Sequence, residues 1–99
     1  MTQLVIEEEV AGDFDRFVDH LLRHGVADPF ARVNEILDAL EVLKTSPNIG
    51  RPSGTAGFRE LVIGSGSHGY VALYEYNPER DVAYVVAVRS QKELGYRRS

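Results

Sequence analysis

Cysteine is absent from this 99-residue chain. That excludes a disulfide framework and a thiolate zinc site, and it suits a reducing cytoplasm. Long apolar runs are missing too. No stretch approaches the roughly 20 residues needed to cross a bilayer, and the opening MTQLVIEEEV has neither a basic leader nor a sustained apolar core. A soluble, cytoplasmic protein with no membrane partner is expected. Repeats, low-complexity tracts and compositional breaks are also lacking, so residues 1–99 are expected to fold as a single domain. Positive charge is scarce: 11 Lys and Arg stand against 15 Asp and Glu, a net charge of −4. Constitutive nucleic-acid binding is disfavoured by that balance, because phosphate neutralisation supplies most of such affinity.

What is present is the composition of an ordinary globule, 43% apolar and 26% charged, enough for one hydrophobic core. The charge is unevenly divided. Residues 1–48 carry ten acids against four Lys and Arg, whereas residues 49–99 carry five acids against seven. An anion-facing surface therefore belongs in the second half.

Leu4 to Glu9 reads as a short strand whose three glutamates mark a sheet margin. From Asp13, the residues Phe14, Phe17, Val18, Leu21 and Leu22 recur at i, i+3, i+4, i+7 and i+8, the stripe of an amphipathic helix that Gly25 stops. Asp28 and Pro29 supply an N-cap and a first-turn residue for a second helix carrying Phe30, Val33, Ile36, Leu37, Leu40 and Leu43, closed by Ser46-Pro47. Val33, Leu37 and Leu40 are its expected core. The connection is short, so the helices should form an antiparallel hairpin.

Residues 47–57, PNIGRPSGTAG, read as a loop of tight turns. Three strands follow at Phe58–Ile63, Tyr70–Tyr76 and Val82–Arg89, with links short enough for an antiparallel meander. The last strand is apolar on both alternating faces: Val82, Tyr84, Val86 and Val88 on one, Ala83, Val85 and Ala87 on the other. The helices cover one face, so the other requires folded-back chain, its own tyrosines or a partner. The expected fold is α+β: an N-terminal strand and an antiparallel helical hairpin packed on a twisted antiparallel sheet.

Several motifs carry less chemistry than their letters suggest. Gly64-Ser65-Gly66-Ser67-His68-Gly69 spells GxGxxG, but it lies between two strands, where no helix N-terminus can meet a pyrophosphate. His20 and His24 are spaced i, i+4 without a third ligand and read as a solvated helix face, as His68 reads as plain surface. No nucleophile elbow is present, and Glu7-Glu8-Glu9 reads as an edge device. No cofactor or metal is expected. What remains is a basic and aromatic set in the second half: Arg51, Arg59, Arg80, Arg89, Lys92, Tyr96, Arg97 and Arg98. The plain reading of its last members is a solubilising tail, and the functional one is contact with an anion or an acidic partner segment.

Three phrases, LKTSPNIGRP at 43–52, FRELVIGSGSHGYVALYEY at 58–76 and VAYVVAVRSQKELGY at 82–96, resemble the RelE/ParE toxin family, specifically its ParE-like branch, over nearly the whole chain. The resemblance implies a toxin of a type II pair, neutralised by a cognate antitoxin. It implies one of two activities: inhibition of DNA gyrase without catalysis, or RelE-like cleavage of messenger RNA on the ribosome. Relatives in the ParE-like branch commonly carry histidine where this chain has Ser90, and RelE-like nucleases tend to carry a catalytic arginine near that place. Ser90 cannot stabilise charge on a phosphate. Gyrase inhibition is therefore the expected activity. Arg59, Arg89, Lys92 and Tyr96 are the expected target-binding residues, and the same four would be catalytic in a nuclease. A family member that has lost toxicity and persists as a binding module is a further alternative.

Overall fold

The structure is a computed structural model, and it describes residues 1–65, 69–93 and 95–96. The remaining loop residues Gly66, Ser67 and His68, together with Leu94, Arg97, Arg98 and Ser99, lie outside the described residues, and with them the sequence expectations placed there. Among the described residues the order is β1 (Gln3–Ile6), α1 (Val10–Arg23), α2 (Phe30–Leu40), a 3-10 turn (Glu41–Lys44), β2 (Arg51–Pro52), β3 (Arg59–Ile63), β4 (Tyr70–Asn77) and β5 (Val82–Ser90). The strands form one sheet in the order β1-β5-β4-β3-β2.

The expected first strand is shortened. It ends at Ile6 rather than Glu9, and Glu7 to Glu9 form the turn that starts α1 three residues before Asp13. α1 ends as the sequence requires. Gly25 takes φ +75°, the Val26 N–H reaches the Leu21 carbonyl and the Gly25 N–H reaches that of Leu22, closing the helix in a left-handed cap. Asp28 begins the next helix, its Oδ1 accepting from the Ala31 N–H at 3.3 Å. Ile36, Leu40 and Leu43 are fully buried, whereas Val33 and Leu37 are only half-buried. Those two therefore flank the core rather than form it.

Two features of the sheet depart from the expected meander. The loop at 47–57 contributes a two-residue edge strand, with Arg51 opposite Glu60 and Pro52 opposite Arg59. β1 joins the other edge in parallel with β5, so the sheet is mixed rather than wholly antiparallel. That pairing joins opposite ends of the chain, where no hairpin rule applies.

The third departure decides where side chains point. Between the pairs Leu73–Ala87 and Tyr74–Val85 the register shifts by one residue, leaving Val86 as a bulge in β5. The alternation therefore changes phase. Ala83, Val85 and Val88 join the helix-side core with Tyr70, Ala72 and Tyr74, while Val82, Tyr84, Ala87 and Arg89 share the outer face with Val71 and Leu73. Strict alternation from the sequence placed Val88 with Val82 and Tyr84, and the bulge overturns that assignment.

β5 also outruns β1, which pairs only as far as Val85. Beyond it, two backbone N–H groups on the same edge need acceptors. Val88 N–H donates to Asp13 Oδ2 at 2.9 Å and Ser90 N–H donates to Glu93 Oε2 at 2.8 Å. Arg16 joins the two carboxylates, donating to Asp13 Oδ1 at 3.0 Å and to both oxygens of Glu93 at 3.1 Å. Asp13 is 1% exposed. At the other end of the sheet the buried Tyr74 hydroxyl accepts from the Gly50 N–H at 2.9 Å, and Arg59 Nη1 donates to the Gly50 carbonyl at 2.8 Å. A Cβ on Gly50 would lie 2.7 Å from the Tyr74 ring, so the glycine of PNIGRP is required by close approach.

Asp13→Ala strands the Val88 N–H and removes one of the carboxylates held by Arg16. It should lower unfolding free energy by about 2–3 kcal/mol in urea denaturation. Tyr74→Phe keeps the ring and strands only the Gly50 N–H, for an expected loss of about 1–3 kcal/mol. An unchanged midpoint in either variant would show that the pairing does not hold the fold.

Candidate functional site

The four expected site residues reach three different places. Arg89 and Tyr96 meet on the outer face of the sheet, Arg59 lies on the helix side, and Lys92 stands exposed in the turn after β5. β3 explains the separation: Arg59 pairs opposite Tyr74 and points with it, whereas the next residue, Glu60, pairs opposite Leu73 and points to the outer face.

On that outer face Tyr96 folds back over β3 and β5. Its hydroxyl donates to Glu60 Oε2 at 2.7 Å, and the Arg89 guanidinium carbon lies 5.2 Å from its ring centre, a cation–π distance. Arg51 Nε donates to the other Glu60 oxygen at 3.1 Å. Arg89 is turned partly inward, its Nη1 donating to the carbonyls of Ser90 at 3.2 Å and Glu93 at 3.1 Å. Folded-back chain thus supplies part of the cover that the doubly apolar β5 demands, and Ala87 and Val71 beneath it are 2% exposed.

This arrangement sets the protonation of its members. Burial, and then the hydrogen bond to the Glu60 carboxylate, push the Tyr96 phenol well above its ordinary range, the nearby Arg89 opposing only in part. For Glu60, burial raises the pKa, but the hydrogen bonds from Tyr96 and Arg51 and the charges of Arg51 and Arg89 outweigh it and hold the carboxyl below its usual value. A neutral tyrosine donating to an ionised glutamate is a fastening. It is not a poised general base.

Arg59 instead borders a shallow cavity of about 410 Å³ with Phe58, Tyr76, Pro52 and Pro78. Nearby, the Tyr76 hydroxyl donates to Asp81 Oδ1 at 2.8 Å, and Thr2 donates to the same oxygen at 2.6 Å. Lys92 lines a second cavity of about 440 Å³ with Phe17, His20, His24, Tyr70 and Ser90. Among the described residues no three His, Cys, Asp or Glu side chains come together as a metal site, and no helix is long and apolar enough to cross a membrane.

Sequence reasoning missed Glu60, Asp13, Arg16 and Glu93. Asp13 left a trace, because it falls four residues before Phe17 on the buried line of α1. Glu60 left none, since its partner Tyr96 is 36 residues away and meets it only through the back-fold.

The family model for the ParE toxin of type II toxin–antitoxin systems matches residues 4–95. Comparison with curated proteins found no match. Among solved structures, the chromosomal ParDE system from P. aeruginosa is similar at a TM-score of 0.75 and 20% identity, covering 91% of this chain and 96% of that one. The intact E. coli RelBE toxin–antitoxin complex is similar at 0.63 and 17%, covering 94% and 100%. The isolated E. coli RelE toxin is similar at 0.62 and 16%, covering 94% and 87%. At these identities the structures share the fold.

The Tyr96–Glu60 fastening has a defined pH window. The lowered Glu60 contributes stability above the usual carboxylate range and loses it as pH falls through its folded value. The raised Tyr96 contributes below the ordinary phenol value of about 10 and loses it as pH rises through its folded value. A near-ultraviolet titration should therefore show Tyr96 among the tyrosines that resist ionisation beyond the free phenol, together with Tyr70, Tyr74 and Tyr76, and Glu60→Gln should bring one of them back toward that value. If Glu60→Gln leaves the titration curve unchanged, the bond to Glu60 is not what holds the proton.

Proposed function

The chain belongs to the ParE toxin family of type II toxin–antitoxin systems, and from that membership we propose that it is the toxin of such a pair, inhibits DNA gyrase by protein–protein contact, and is held inactive by a cognate antitoxin. The observation that carries the non-catalytic reading is the position of Glu60. A nuclease needs cations converging on the scissile phosphate. Here an ionised carboxylate sits between Arg51, Arg89 and Tyr96, while Arg59 faces the opposite side of the sheet and is bonded to the Gly50 carbonyl. The groups a phosphate would need are already engaged within the protein, Tyr96 with that carboxylate and Arg89 with the Ser90 and Glu93 carbonyls. The net charge of −4 gives no general steering toward RNA, whereas a protein target is held by shape and a local patch.

An antitoxin partner is supported by the similarity to folds solved as parts of toxin–antitoxin systems. It is also supported by the apolar surface that remains on the sheet and helices, including Val62 at 45% exposed and Phe30 at 62%. Cytoplasmic residence follows as part of the same reading.

Purified gyrase should lose supercoiling activity and accumulate cleaved DNA when the protein is added, and antitoxin should reverse both. Lys92→Glu, a change at an exposed side chain, should raise the protein concentration needed for half-inhibition on the order of tenfold while leaving thermal unfolding unchanged. Gyrase that remains fully active would sink the proposal. Sequenced cleavage ends from translated messages would then establish the RelE-like alternative.

A further inference from the structure

The cavity beside Lys92 is lined mostly by residues to which the proposed function gives no role. It lies between the C-terminal half of α1 and the adjoining ends of β4 and β5. Its floor is apolar: Phe17 and Tyr70, both more than nine-tenths buried, meet at 5.0 Å between ring centres, with Leu21 and Val26 alongside. One wall is a pair of imidazoles, His20 and His24, with ring centres 4.2 Å apart. His24 is fixed in place, its Nδ1 lying 2.8 Å from the His20 carbonyl. The rings are tilted within each pair, by 50° and 37°, and together offer aromatic edges and faces that suit an aromatic body.

The rim carries the charge. Arg16 and Glu93 border the cavity but are bonded to each other, and Glu93 also accepts the Ser90 N–H. Lys92 makes no ion pair among the described residues, and its position is set by its own N–H, which donates to Ser90 Oγ at 3.1 Å. A side chain as small as Ser90 at this point leaves the space open. The volume, about 440 Å³, falls in the range of roughly 300–1,000 Å³ characteristic of small-molecule sites.

We propose that this cavity binds a small organic anion with a flat apolar body, an aromatic carboxylate or sulfonate in chemical class, its rings between the Phe17–Tyr70 floor and the His20–His24 wall and its anion on Lys92. The site is separate from the Tyr96–Glu60 face and does not depend on gyrase being the target. Lys92 is shared with the proposed target surface, so an occupant would cover a charge used there.

The test uses two dyes of nearly the same shape, anilinonaphthalene sulfonate and its neutral counterpart N-phenylnaphthylamine, titrated by fluorescence into the folded full chain. Both should bind once per chain. Lys92→Gln should weaken the sulfonate roughly fivefold, the scale of one partly exposed ion pair, and leave the neutral dye unchanged. Leu21→Trp, which fills the cavity, should abolish both, with a retained thermal transition showing that the variant is folded. Absence of saturable binding to the folded wild type would overturn the proposal, as would equal loss of both dyes in Lys92→Gln. Failure of both dyes, with resonances of the cavity residues shifting only on addition of antitoxin, would assign the cavity to the protein partner and equally overturn it.

Discussion

The unpaired edge of β5 organises much of this molecule. The strand is longer than its neighbour β1, and each exposed N–H beyond Val85 needs an acceptor if the edge is to be buried. Asp13 and Glu93 stand in for the missing strand, accepting from the Val88 and Ser90 N–H groups, and Arg16 bridges the two carboxylates. α1 is thereby docked to the sheet by charge as well as by Phe14 and Phe17. The turn carrying Lys92 is fixed at the same stroke, because Glu93 is one of its residues. The rim of the larger cavity follows from that turn, and so does the path by which the chain returns toward Tyr96.

On the outer face a second fastening takes over. Tyr96, Glu60, Arg51 and Arg89 link the C-terminal segment to β2, β3 and β5, and the polar groups satisfy one another over an apolar floor. A set that reads as basic in the sequence is in the structure tied around a carboxylate, Glu60. This bears directly on function, since residues that would hold a phosphate in a nuclease are here bonded within the protein. Within one fold, the choice between phosphate chemistry and protein recognition turns on such placements rather than on the inventory of arginines. Lys92 differs from Arg59, Arg89 and Tyr96 in that its side chain is exposed and makes no ion pair or hydrogen bond among the described residues.

The sequence by itself determined the two helices, the three-stranded meander and the family. The helical stripe of Phe14, Phe17 and Leu21, the stop at Gly25, the cap at Asp28 and the meander of β3 to β5 are local matters of periodicity and backbone sterics, and these govern a few residues at a time. The three phrases that resemble the family lie in these same segments. Tertiary structure alone decided the parallel pairing of β1 with β5, the Val86 bulge that moves Val88 into the core, and the parting of Arg59 from Arg89. Each depends on how distant segments meet, and a shift of one residue in register reverses which side of a sheet a side chain faces. Arg59 and Glu60 are neighbours in sequence and belong to opposite faces in the fold, so the pleat and the register decide which of the expected residues share a face.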